Sequence, residues 1–271
     1  MSYLCDWLQV SRSGYYDWRY RAESARDIED RTLAQKIVSI HRDSRETYGS
    51  PRIHKSLKKE GVAVGKKRVE RLMRVQGLQG RVTRVVRRQP GLKRFVASGE
   101  NLRLKMPEAK GINQIWVADI TYLKVNNEWL HLAVVMDIYS RRILGWSLDK
   151  TRTTGLTLAA LRYAIKGRDI NGPVIFHTDR GVEYTAYKYR DALIKQGMRP
   201  SLNRAGYCTD NGHMESFFHS LKAELIRGRV FKTATELRYA LNSYINQFYN
   251  HRRLHSGIGY VPPAVYEQMV A

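Results

Sequence analysis

The sequence predicts an α/β protein: a sheet of mixed strand direction flanked by helices, preceded by an all-helical region. Three observations predict it. After Gly111 three β-rich runs follow one another, QIWVADITYLKV, EWLHLAVVMDIYS and RRILGWSLDK, with turn signals at Asn126-Asn127 and Ser140-Arg141 between them. Helical and strand patterns then alternate: TTGLTLAALRYAIKGR, PVIFHTD, TAYKYRDALIKQGM and a short run around Pro200-Ser201-Leu202. Before residue 81 the patterns are helical. Strands joined by tight turns pair antiparallel, whereas strands joined through a helix run parallel, so one sheet containing both is mixed. Two long helical patterns, near 210–227 and 233–249, close the chain.

The helical region has a helix-turn-helix rhythm. PRIHKSLKKEG places Pro51 in a first turn and Gly61 at an end, VAV connects, and GKKRVERLMRVQGL follows as a second helix. Val69, Leu72, Met73 and Gln76 fall at the i, i+3, i+4, i+7 spacing of a packed stripe. Lys66, Lys67, Arg68, Arg71 and Arg74 cover the rest of that helix, which is expected to meet DNA phosphates or base edges. An earlier segment, YLCDWLQVSRSGYYDWRYR, reads as a second such unit, clipped at the chain start, with Ser11 as N-cap and Tyr15, Tyr16 and Trp18 on its second helix. Residues 81–110 lack sustained periodicity and read as a basic linker. The expected organisation is therefore 1–80 helix-turn-helix, 81–110 linker and 111–271 α/β domain.

Charge restricts the partner. The 271 residues carry 47 Lys plus Arg against 25 Asp plus Glu, a net of +22, which calls for a polyanion. Between Pro51 and Arg94 there are 15 basic residues against Glu60 and Glu70 alone. A membrane is disfavoured, because the clearest apolar run, Trp129 to Met136, is interrupted by His131 and falls far short of the roughly 20 residues that span a bilayer. The opening MSYLCDWLQV has no basic stretch followed by a long apolar one, so a cytoplasmic location is expected. Cys5 and Cys208 form no C-x-x-C pair and read as free thiols.

Three acids stand where a core would not choose them. Asp119 interrupts IWVADITYL, Asp179 ends VIFHTD, and Glu215 lies on the helix of TDNGHMESFFHSLKAEL. Phosphodiester cleavage and strand transfer need an activated nucleophilic oxygen and a stabilised leaving oxygen, and two divalent ions roughly 3.5–4 Å apart supply both. Mg²⁺, with Mn²⁺ as substitute, takes carboxylate oxygens, so clustered Asp and Glu are natural ligands. At about 100° per residue Met214, Phe217, Phe218, Leu221 and Leu225 form one apolar stripe, while Glu215, His219 and Lys222 share a neighbouring face. Packing the stripe aims Glu215 and Lys222 together, which suits Lys222 to a DNA phosphate beside the metals.

WVADITYL, FHTDRGVEYT and TDNGHMESFFHSLKAEL, in that order, resemble the three blocks of the DDE transposases of the insertion-sequence-three family, in its second-frame protein (OrfB). FYNHRRLHSGIGYVPPAVYE resembles that family's C-terminal block, and SRSGYYDW and YGSPRIHKSLKKEG its helix-turn-helix region, so the likeness spans nearly the whole chain. The family's last two acids are typically about 35 residues apart, with Lys or Arg seven positions after the Glu, as Lys222 is. Ala118 stands where a Thr often precedes the first Asp, and Glu183 where Gln is frequent. The resemblance implies an RNase-H-like, retroviral-integrase-type core with Asp119, Asp179 and Glu215 as catalytic metal ligands. It implies recognition of terminal inverted repeats, 3′-end cleavage and strand transfer, first within the element to give a circular intermediate, then into target DNA. A homo-oligomer on DNA is expected, and a frameshift partner or fusion with an upstream frame is open. The rival readings are a catalytically idle DNA-binding protein derived from a transposase, against which the three intact acids argue, and a structure-specific nuclease, against which the two helix-turn-helix segments argue.

Nearby titratable groups are read more plainly. Asp137 is expected to be structural, with Arg141 or Arg142 as partner, Asp210 to cap the Glu215 helix, His177 to be packed, and His213 and His219 to lie at the surface.

Overall fold

The computed structural model describes residues 2–81, 99–106, 108–204 and 208–271, with backbone alone at Ser2, Cys208 and Thr209. Most of the expected linker and the Cys208 thiol therefore lie outside the described residues, while Cys5 is a buried free thiol. The chain divides into two compact units, Met1–Gly80 and Arg81–Ala271.

The first unit holds α1 (Ser2–Trp7), α2 (Arg12–Tyr20), α3 (Ala25–Asp43), α4 (Ser50–Lys59) and α5 (Lys66–Val75). Pro51 sits in the first turn of α4, where its missing N–H costs nothing. Both α4 and α5 stop at left-handed glycines, Gly61 (φ 76°) and Gly77 (φ 65°). Val62 N–H then closes on Leu57 C=O at 2.9 Å and Leu78 N–H on Met73 C=O at 2.8 Å, satisfying carbonyls that the helix ends leave open. Ser11 caps α2, accepting from Gly14 N–H at 3.0 Å. The longest helix described, α3, is an addition to the two expected helix-turn-helix units; Ser24 and Asp27 form a capping box at its start. α3 packs on both α4 and α5, and Leu33, Ala34 and Ile37 are buried with Ile53, Leu57, Val69, Leu72 and Met73. Gln76 is the exposed C-cap of α5, so the packed stripe stops at Met73, one turn short of the expectation.

The second unit is built on β1 (Ile115–Val125), β2 (Glu128–Asp137), β3 (Ile143–Asp149), β4 (Ile175–Thr178) and β5 (Arg199–Leu202), in spatial order β3-β2-β1-β4-β5. β1–β2 and β2–β3 are antiparallel, and β1–β4 and β4–β5 parallel, the mixed sheet expected. Asn126, at φ 49°, turns the first hairpin, because Asn tolerates the left-handed region better than most residues. On one face lie α6 (Thr154–Lys166), α7 (Val182–Thr185) and α8 (Tyr187–Lys195). There Trp116, Ala118, Ile120, Ala133, Val135 and Phe176 pack with Leu156, Ala160 and Leu161. Gly145 of β3 lets α6 come close: a Cβ there would stand 2.3 Å from the Ala160 carbonyl oxygen.

On the other side α9 (Gly212–Leu221) buries Met214, Phe217, Phe218 and Leu221. α10 (Ala234–Asn242) and α11 (Pro263–Val270) follow. The two long helical patterns each relax into a π turn, Lys222–Ile226 after α9 and Ser243–Tyr249 after α10. Both surround a buried ion pair: the Glu224 carboxylate receives Arg253 Nη2 at 2.6 Å and the Tyr244 hydroxyl at 2.7 Å.

Residues 99–106 depart from the linker expectation. Leu202 N–H donates to Glu100 C=O at 3.0 Å and Leu102 N–H to Ser201 Oγ at 3.0 Å, so this stretch packs along β5 and covers the sheet edge.

Candidate active site

Strand register positions the first two acids. β1 and β4 run parallel with Val117 opposite His177, and Trp116 opposite Phe176 in the α6-side core. Two residues further along each chain stand Asp119 and Asp179, at the same level and on the same face, since faces alternate. Neighbouring strands lie about 4.8 Å apart, so the ladder runs the two chains side by side up to the residues just before these acids. β4 ends at Thr178, which makes Asp179 the first residue of the following turn. Its carboxylate accepts from Gly181 N–H at 3.0 Å, while Asp119 accepts from Ile120 N–H at 2.8 Å. Gly181 sits in a crowd of charge: a Cβ there would lie within 3.0 Å of Asp179 Oδ1, Glu183 Oε2 and Arg152 Nη2.

The third acid arrives on α9. Asn211 donates from Nδ2 to Ala118 C=O at 3.1 Å, which fixes the start of α9 on the residue before Asp119. Glu215 lies one turn on, and with the apolar stripe buried it stays half-buried on a flank. Among the described residues no three His, Cys, Asp or Glu side chains close into a metal cage. Asp119, Asp179 and Glu215 thus converge on one end of the sheet without meeting.

The Tyr184 hydroxyl lies in the field of both aspartates. It is buried with no hydrogen-bond partner among the described residues, and burial, then Tyr189, then Asp119 and Asp179 hold its ionisation well above the ordinary tyrosine range.

Known proteins share this arrangement. The integrase core domain family matches residues 109–208 and again, as a second integrase core domain family, residues 215–270, while an HTH-like domain matches 27–86. A Shigella sonnei protein, the insertion element IS600 uncharacterized 31 kDa protein, is 35% identical over 99% of this chain and 100% of its own length. The transposase InsF for insertion sequence IS3A of Escherichia coli (strain K12) is 37% identical over 97% of this chain and 92% of its own. The chain belongs to the insertion-sequence-three family of transposases. A chain in the cryoEM structure of a simian T-cell lymphotropic virus intasome in complex with PP2A regulatory subunit B56 gamma shares the transposase's fold at TM-score 0.51 and 16% identity, covering 85% of this chain and 74% of the other.

Around the three acids, the structure redistributes the transposase's other expected site residues. Lys222 is where α9 gives way to the π turn, with Nζ 4.9 Å from the centre of the Tyr122 ring. His177 is wholly buried, as expected, with Nδ1 2.8 Å from Ser201 Oγ, and burial, then the Arg103 charge, lowers its pKa to about 4. Asp137 is also buried and structural, but the partners differ from those expected. Its carboxylate accepts from the N–H groups of Asn113 (2.7 Å), Tyr139 (2.8 Å) and Ser140 (3.3 Å), while Arg142 goes to Glu267 at 2.5 Å. Asp210 does not cap α9, whose N-cap is Asn211. It is held by Arg204 Nη2 at 2.9 Å and Asn101 Nδ2 at 2.8 Å, and the bonds from Arg204 bring its pKa down to about 2 against burial. His213 is not a simple surface residue. Its Nδ1 accepts from Arg141 and its pKa falls to about 4, through burial first and then Arg141 and Arg103. His219 is half-exposed.

In the helical unit the basic face of α5 is split. Lys66, Lys67 and Arg74 are exposed, with Lys66 3.5 Å from Glu70. Arg68 and Arg71 instead meet acids of α3: Arg68 Nε lies 2.7 Å from Asp30 and Nη2 3.0 Å from Glu29, and Arg71 bonds to Asp30. The sparse acids within 51–94 conceal this, because the counter-charges come from α3, outside that stretch. Arg152 and Glu183 form a further pair that nothing in their spacing announces. Glu183 is buried and receives Arg152 Nε at 2.7 Å, which accounts for an acid tolerated beside Asp179.

Proposed function

We propose that this transposase acts on the terminal inverted repeats of its element, cleaving one strand to free a 3′-OH and joining that end to a second phosphodiester, within the element first and then in target DNA. The observation that supports this reading is the parallel β1–β4 register, which pairs Val117 with His177 two residues before Asp119 and Asp179, with α9 anchored against β1 and bearing Glu215. Hard carboxylate oxygens on a strand, on the turn after its neighbour and on one helix are a donor set suited to Mg²⁺, with Mn²⁺ as substitute, and Asp119, Asp179 and Glu215 would hold it. When bound, such ions lower the pKa of a water or hydroxyl nucleophile and neutralise the departing oxygen.

The chain's own residues do the rest. β1 keeps Asp119 rigid, Gly181 N–H ties down Asp179 in the turn after β4, and Asn211 sets the height of Glu215. Lys222 meets a phosphate at the DNA end. Lys66, Lys67 and Arg74 bind the double helix, and a net charge of +22 favours that encounter. More than one copy assembles on DNA, since two ends must be handled together. Among the described residues no helix is long and apolar enough to cross a membrane.

A strand-transfer assay on short duplexes of the element ends tests the reading. Asp119→Asn, Asp179→Asn and Glu215→Gln are each expected to abolish cleavage and joining while DNA binding persists, and excess EDTA is expected to stop the wild type. Activity undiminished by EDTA refutes metal use, and wild-type-like joining in one variant removes that residue from the site. Binding without cleavage under every metal condition favours the idle DNA-binding protein.

A further inference from the structure

On the face of α9 turned away from Glu215 lies a polar cavity of about 250 Å³, lined among others by Arg141, His213, Ser216, Ser220, His255 and Gly257. At 100° per residue His213, Ser216 and Ser220 lie roughly 100–160° round the helix from Glu215, so the cavity and the three acids occupy different faces. Ser216, Ser256 and Gly257 are exposed and form its rim.

None of its lining residues carries a carboxylate. The nearby acids are committed elsewhere: Asp137 to three backbone N–H groups, and Glu267 to Arg142, Arg168 and Ser140. Arg141 donates to the neutral ring of His213, and its Nε is shut off from solvent with no hydrogen-bond partner among the described residues. Burial, and behind it the charge of Arg103, holds the guanidinium below its usual range although Tyr249 and Asp137 oppose this. A half-buried cation in a cavity lined by no carboxylate is costly, and such a group marks a place where a counter-ion belongs.

The backbone adds an independent observation. Arg141 takes φ 63° at the β2–β3 turn, a left-handed conformation in which glycine would be unstrained. The turn bears that strain and directs a long cationic side chain into the cavity.

We propose that this cavity binds a phosphate of the DNA backbone, with Arg141 as the charged anchor and Ser216 as a hydroxyl donor at the rim. An oxyanion seated in the cavity would neutralise the Arg141 guanidinium. The proposal rests on the reading that the chain acts on DNA. It gives α9 two duties, one face carrying Glu215 and the other gripping backbone away from the reacting phosphate.

The test uses the full chain and Arg141→Gly, which removes the cation and relieves the left-handed strain, so its melting temperature without phosphate should equal or exceed that of wild type. Millimolar inorganic phosphate, at ionic strength held constant with chloride, should raise the wild-type melting temperature and leave Arg141→Gly unmoved. On DNA, Arg141→Gly should bind about tenfold more weakly, with a log–log salt slope smaller by about 0.9. Should Arg141→Gly fold poorly, Ser216→Glu decides: a carboxylate at the rim supplies the missing counter-charge and should likewise abolish the phosphate response. Equal phosphate shifts in wild type and variant overturn the site. A lost phosphate response with an unchanged DNA slope assigns the cavity to a free anion and overturns the DNA proposal. Wild type that does not bind DNA refutes the broader reading instead.

Discussion

Asn211 donates its side-chain amide to the Ala118 carbonyl across 3.1 Å, joining the helix that carries Glu215 to the strand that carries Asp119. Both are buried, and the bond crosses from one secondary-structure layer to another. Asn211→Ala is expected to lower end cleavage by 10- to 100-fold, because a misplacement of about 1 Å has effects of that order. Affinity for DNA should change little. Single-turnover cleavage alongside a gel-shift measurement checks this, and equal losses in both would mean that the bond serves stability alone.

The basic face of α5 should separate into two behaviours. Neutralising Lys66, Lys67 and Arg74 is expected to flatten the salt dependence of DNA binding, by about 0.9 in log–log slope for each phosphate that the helix no longer neutralises. Arg68→Ala should instead lower the melting temperature, since it strips Asp30 and Glu29 of a partner. Asp30 is held below the usual carboxylate range by hydrogen bonds from Arg71 and then Arg68, so Asp30→Asn should reproduce that drop. A salt slope reduced by Arg68→Ala as much as by Lys67→Ala would contradict the division.

Lys222→Ala is expected to impair end-specific cleavage more than non-specific binding, with Lys222→Arg retaining part of the function because the charge survives. α9 is regular as far as Leu221, so Lys222 stands about 10 Å along the axis from Glu215 on nearly the same face. Tyr122→Leu should give a milder defect, since its ring lies under the ammonium and contributes about 0.5–1 kcal/mol to holding it. Cleavage of correct and scrambled end duplexes checks both, and near-normal rates for Lys222→Ala would leave the lysine a bystander.

Acid should weaken the fold before the carboxylates titrate. His177 and His213 have folded pKa values of about 4 against an ordinary 6.5. The unfolded chain therefore takes up protons that the native state refuses, and stability is lost as pH falls from about 6.5 to 4. A loss on the order of 1–3 kcal/mol is expected over that window. His177→Gln should flatten the slope in urea unfolding at pH 7, 5.5 and 4.5, and an unchanged slope would exclude His177 as its source.

The strands and the helices flanking them are legible in the sequence because period-2 and period-3.6 patterns survive where one face is buried. Asp119 announces itself by breaking an apolar run, and Gly61 marks a helix end that a left-handed residue closes neatly. Tertiary pairing is not legible. Asp210 reads as a cap from its position before α9, but Arg204 draws it away. Arg68 reads as a free cation until α3 brings Asp30 to it, and Glu100 to Leu102 read as linker because main-chain bonds to β5 leave no periodic trace. The π turns are likewise hidden, since Glu224 and Arg253 are brought together only by folding.

The β1–β4 ladder carries a consequence for how such chains can diverge. Asp119 and Asp179 are 60 positions apart, yet what joins them is a lateral step between strands, and everything from Tyr122 to Gly172 is a detour through the end of β1, β2, β3 and α6 before the chain comes back beside β1. That detour is free to lengthen at its turns, or to be cut at Asn126-Asn127 and reconnected as a circular permutant, without moving either carboxylate. Loss of a single residue between Val174 and Thr178 has the opposite effect: the ladder re-pairs one place out and Asp179 turns into the apolar core beneath the sheet.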